Sequence, residues 1–165
     1  MYVKDHAGKA ERLTASAMRS EMAGAPILAA WGYMHAGTHI LNGILHLAGI
    51  THAFNAGSSN HAGVYLDRTG RILRGLGTTD LLHADVPLID YPDDANLHLT
   101  LQELRQIESI AFKSIFDDFE LELSDAEAAR QSYALLRTYL SKFLSTTSNE
   151  PEWLRQTGGH ALSAG

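Results

Sequence analysis

Three histidines and an asparagine, His35, His39, Asn42 and His46, fall at i, i+4, i+7 and i+11 within the segment "HAGTHILNGILH". At 3.6 residues per turn, that spacing gathers all four on one stripe of an α-helix. Two imidazoles one turn apart can share a metal ion, because their rings converge on one side of the helix. Histidine also changes charge near neutral pH, so the same stripe can move protons or present a pH-sensitive binding face. The plain alternative is that these groups bond to backbone carbonyls, or to polar groups across a helical core. Five of the nine histidines lie between positions 35 and 61, since His52 and His61 follow in the next loop.

A metal centre in a helical bundle draws ligands from a facing helix as well. Glu103, Glu108 and Asp117 are the acidic candidates, but no Glu-x-x-His pair occurs, which removes the di-iron carboxylate signature. Two site readings follow. In one, the stripe is a binding face with no cofactor, and Arg68, Arg71 and Arg74 supply contacts to an anion. In the other, His35 and His39 hold a divalent transition metal.

The elements that must carry these residues read as helices. Residues 5–23 form a first amphipathic helix, with Leu13, Ala17 and Met18 expected on one side. Gly24-Ala25-Pro26 interrupts it, and Pro26 suits the first turn of a second helix that runs to about Ala48 before Gly49. "THAFNAGSSN" has loop composition, and Asn60 is positioned to cap a shorter helix reaching Arg74. The Pro-containing segment "HADVPLIDYPDD" reads as irregular. Thr100 with Glu103, and Ser124 with Glu127, have capping-box spacing, which predicts helices over 100–119 and 125–145. Leu101, Leu104, Ile107, Ala111, Ile115 and Phe119 form the apolar stripe of the first; Tyr133, Leu136, Leu140 and Phe143 form that of the second.

These elements amount to an all-α, up-and-down bundle of four to five helices. One domain spans 1–145, followed by a flexible polar tail over 146–165. The acidic run "DDFELELSDAE" between the last two helices reads as a solvated corner, with Asp125 and Glu127 in a first turn that favours negative charge.

Composition narrows the function classes. The 165 residues hold 13 Lys+Arg against 19 Asp+Glu, a formal net charge of −6, so broad binding to nucleic acid through a basic footprint is not expected. With no cysteine, thiol nucleophiles, disulfides and zinc knuckles are excluded. No Walker lysine, dinucleotide-binding glycine turn, HExxH pair or nucleophile elbow is present. From Met22 to Leu66 there is no Asp, Glu, Lys or Arg. Length alone would allow a membrane span there, but the histidines and Asn42 are costly in hydrocarbon, so a buried central helix is expected. The start has early charges and no apolar leader core, which points to the cytoplasm.

The stretch "WGYMHAGTHILNGILHLAGI" resembles the second helix of HEPN domains. The later "LQELRQIESIAFKSIFDDF" and "SDAEAARQSYALLRTYLSKF" are similar to the way those domains close. Over roughly residues 10–145 the resemblance implies a compact helical bundle that dimerises. HEPN ribonucleases carry an Arg, four to six residues, then a His at a dimer cleft. Arg105, Arg130 and Arg137 have no histidine at that spacing; Arg155 and His160 do, but across Gly158-Gly159 in the tail. The resemblance therefore implies a member without a ribonuclease site, acting as a homodimeric binding or accessory module for a nucleotide, RNA or protein partner.

Overall fold

The computed structural model describes residues 3–48, 65–66, 72–73, 93–116 and 120–147. Among them are four helices, α1 (Val3–Met22), α2 (Pro26–Leu47), α3 (Ala95–Phe116) and α4 (Leu123–Thr147), and two short strands, β1 (Tyr65–Leu66) and β2 (Ile72–Leu73). The all-α bundle expected from the periodicity is what forms.

The α1–α2 connection is built by local chemistry. Gly24 has φ +70°, a left-handed conformation that glycine adopts without strain. Its N–H donates to the Glu21 carbonyl, while the Ala25 N–H reaches back to the Ser20 carbonyl at 2.8 Å, closing a Schellman cap. Pro26 then opens α2, where its missing N–H costs nothing.

Contacts along the helices give their directions. Ala17 lies against Gly32 and His6 against His39, so α1 and α2 are antiparallel. Trp31 meets Phe112, and Gly37 meets Leu104 and Ile107, so α3 also runs against α2. Tyr33 meets Tyr133, and Gly37 meets Leu136, so α4 runs with it. The order is up-down-up-down, and α2 packs on all three other helices. That position explains its lack of charge: Ala29, Ala30, Met34, Ala36, Leu41, Ile44 and Leu45 are fully buried. Burying a Leu or Ile side chain is worth about 1.5–3 kcal/mol, so this helix carries much of the core. No helix among the described residues is long and apolar enough to cross a membrane.

Four local expectations are corrected. The helix expected between Asn60 and Arg74 is replaced, where the chain is described, by an antiparallel pair with Tyr65 opposite Leu73 and Leu66 opposite Ile72. The sequence between the strands, Asp67-Arg68-Thr69-Gly70-Arg71, has turn composition, and the flanking aromatic and β-branched residues favour strands. Thr100 does not cap α3. Asp94 does, its Oδ1 accepting from the Asn96 and Leu97 N–H groups at 2.8 and 3.0 Å, while Thr100 is buried and bonds the Asn96 carbonyl. Likewise α4 begins before Ser124: the Asp125 carboxylate accepts from the Glu122 N–H at 2.9 Å, and the Ser124 hydroxyl bonds the Glu122 carboxylate instead of capping the helix. Finally, Met18 is 42% exposed; the buried face of α1 comprises His6, Ala7, Ala10 and Ala17 instead.

Candidate functional site

The four stripe residues of α2 lie on one side of the helix but do not share one environment. His35 is exposed, its ring 5.6 Å from that of Trp31, which in turn meets Phe112 of α3 edge-on at 5.6 Å. His39 is half-buried, Asn42 is buried and donates from Nδ2 to the Thr38 carbonyl at 2.9 Å, and His46 is buried. The stripe thus runs from solvent at His35 into the protein at His46.

A residue that spacing alone could not find completes this surface. His6 of α1 is fully buried, and its Nδ1 lies 3.1 Å from Nδ1 of His39. Its ring centroid is 5.3 Å from that of His39 and 5.2 Å from that of His46. At that Nδ1–Nδ1 distance one imidazole donates and the other accepts, so one proton lies between the two nitrogens. Three imidazoles from two helices therefore meet at the end of the bundle where α1 begins and α2 ends. The sequence signal for His6 was its place four residues before Ala10, on the buried small-residue face of α1; nothing in that spacing names His39 as partner.

On the other flank, the register that pairs Trp31 with Phe112 brings Glu108 of α3, one turn before Phe112, to the level of His35, one turn after Trp31. Glu108 is 8% exposed. Glu103, by contrast, is half-buried on α3, and Asp117 lies outside the described residues. Among the described residues no group of three or more His, Asp or Glu side chains already converges as a metal site. Arg68, Arg71 and Arg74, with His52 and His61, lie outside the described residues, as do Arg155 and His160.

A second polar layer joins α1, α2 and α4. Tyr33 donates to Glu21 at 2.8 Å, and Arg130 reaches the other Glu21 oxygen at 3.1 Å. Thr14 gives its hydroxyl proton to the Ala10 carbonyl at 2.8 Å, so at 2.6 Å from the Tyr133 oxygen it accepts. Arg137 lies 5.8 Å from the centre of the Tyr133 ring. Burial, followed by the bond to the Glu21 carboxylate, pushes the Tyr33 phenol well above its ordinary range; burial also raises that of Tyr133. Beside this layer Ala10, Glu11, Ile40, Tyr133 and Arg137 line a cavity of about 10 Å³. That is room for one water and not for an organic substrate, so this layer reads as a structural clasp.

No family model matches the chain, and neither does any curated protein or solved structure.

Proposed function

We propose that this chain is a HEPN-like helical bundle that works in the cytoplasm as a homodimeric binding or accessory module, without ribonuclease chemistry of its own. The observation that supports this best is the gathering of polar side chains from two helices along one side of α2: His6 from α1 with the stripe His35, His39, Asn42 and His46. Among the described residues, no Arg-to-His pair at ribonuclease spacing belongs to that surface. What it offers is hydrogen bonding at the buried end and an imidazole on an indole at the exposed end, a combination that stacks on and bonds to a planar polar ligand. A nucleotide or an unpaired RNA base fits this chemistry, with Arg68, Arg71 and Arg74 as phosphate contacts.

The test is titration of nucleotides and short single-stranded RNAs into the protein, read through the fluorescence of Trp31, with native mass determination alongside. Saturable binding that weakens at least tenfold in His35→Ala and Arg71→Ala, in a dimer, is the expected result. RNA cleavage that depends on Arg155 and His160 would overturn the reading, as would a monomer that binds none of these ligands.

A further inference from the structure

Beyond that reading, we propose that the groove between α1 and α4 docks an amphipathic helix of another protein, one whose apolar edge is flanked by lysine or arginine.

The groove follows from how the two helices meet. Thr14 bonds Tyr133 and Glu21 bonds Arg130, so α1 and α4 run antiparallel and these pairs form its floor. Met18 and Met22 follow Thr14 by one and two helical turns on α1, and Leu123 precedes Arg130 by two turns on α4. Three large apolar side chains therefore lie along the mouth at one end of the groove. Met18 is 42%, Met22 79% and Leu123 54% exposed. Single exposed apolar side chains are ordinary, but three on two facing stripes make a patch. Methionine is unbranched and adapts its shape to a partner's side chains. A slot between two helices accepts the apolar edge of a third, whose anchors recur at i, i+3, i+4 and i+7. Met22 comes sixteen residues after His6, nearly opposite it on α1, so this surface is separate from the histidine stripe.

Charge selects the occupant. Glu120 and Glu122 beside Leu123, and Glu127 one turn later, are exposed. The cations of this end are engaged: Arg130 with Glu21 and Glu127, and Lys113 with Asp125. Against the acids stands Arg19, exposed beside Met22 on α1, so negative charge predominates. A second copy would bring the same acids to the groove, and each chain carries a net charge of −6, so like charges oppose self-docking. A helix with basic residues beside its apolar edge matches both the patch and its surroundings.

The experiment uses the full chain and a fluorescent helical peptide of about 18 residues, leucine along one edge and lysine elsewhere, with a leucine–glutamate twin. Fluorescence anisotropy is expected to show one lysine peptide per chain, bound at least tenfold more tightly than the twin. Affinity should fall at least tenfold in Met22→Ser and in Leu123→Ser, and measurably in Glu122→Gln. Leu99→Ser, which alters an exposed leucine at the other end of the bundle, should change nothing. If a groove variant loses its circular dichroism, photo-cross-linking of the peptide to the natural chain decides. Cross-links to Met18, Met22 or Leu123 support the groove, and cross-links confined elsewhere overturn it. Equal affinity for both peptides, or equal binding by all variants, overturns the proposal. So does self-association or binding to phosphatidylcholine vesicles that Met22→Ser abolishes, because the occupant is then a second copy or a lipid surface.

Discussion

Tyr33 of α2 donates its phenolic hydrogen to Glu21 of α1 at 2.8 Å, and the same carboxylate accepts from Arg130 of α4 at 3.1 Å. One side chain thus ties three helices together, but its two bonds are unequal. Tyr33 is 1% exposed, while the Arg130 side chain is 42% exposed and bonds in competition with water. Losing a buried hydrogen bond to a charged acceptor costs about 1.5–3 kcal/mol, and an exposed ion pair about 0–1 kcal/mol. Urea unfolding should therefore show Tyr33→Phe to be more destabilising than Arg130→Gln. The reverse order would mean that the ion pair, not the phenol, holds Glu21.

Alkaline pH should loosen the same layer. A phenol whose folded pKa is raised favours the protonated form, so its contribution is complete below the unfolded value of 10.0 and is lost as pH climbs through the folded one. Burial is the main cause for both Tyr33 and Tyr133. Stability is expected to fall above pH 10, with tyrosinate absorbance from these two residues rising together with the loss of helical circular dichroism. Ionisation of all six tyrosines in an intact fold would contradict this.

Gly32 lets α1 and α2 approach closely at Ala17. A β-carbon there would lie 2.7 Å from that of Ala17 and 3.1 Å from its Cα, and neither atom can swing aside. Alanine normally gains about 1 kcal/mol over glycine inside a helix. Here the forced separation of the hairpin should outweigh that gain, leaving Gly32→Ala destabilised by about 1–2 kcal/mol in thermal or urea unfolding. A stabilised variant would show that the hairpin is looser than this contact requires.

The two candidate starts of α3 can be separated directly. Asp94→Ala removes an acceptor from two backbone N–H groups and should cost about 1 kcal/mol. Thr100→Val removes only a hydroxyl bond to a carbonyl already within the helix, and should cost less than about 1 kcal/mol. Equal losses would return Thr100 to a capping role.

What the sequence determined by itself is the helical architecture. The stripes Leu101–Leu104–Ile107–Ala111 and Tyr133–Leu136–Leu140–Phe143 are buried as their period requires. The charge-free run through α2 becomes the helix that packs on all the others, and Gly24 and Pro26 punctuate the chain as their backbone chemistry dictates. These features are legible because each depends on neighbours within about one or two helical turns. Helix starts were harder, since Asp94 and Thr100 compete as caps a few residues apart, and packing of the first turn selects between them. Tertiary structure alone decided the histidine surface. His6 and His39 are 33 positions apart, and their pairing depends on how α1 and α2 are rotated about their axes and on the length of the turn between them. The same rotation left His35 exposed, with its ring beside that of Trp31, its neighbour one turn earlier on α2. A one-dimensional spacing states which side chains share a face; only the neighbouring helices decide which of them meet.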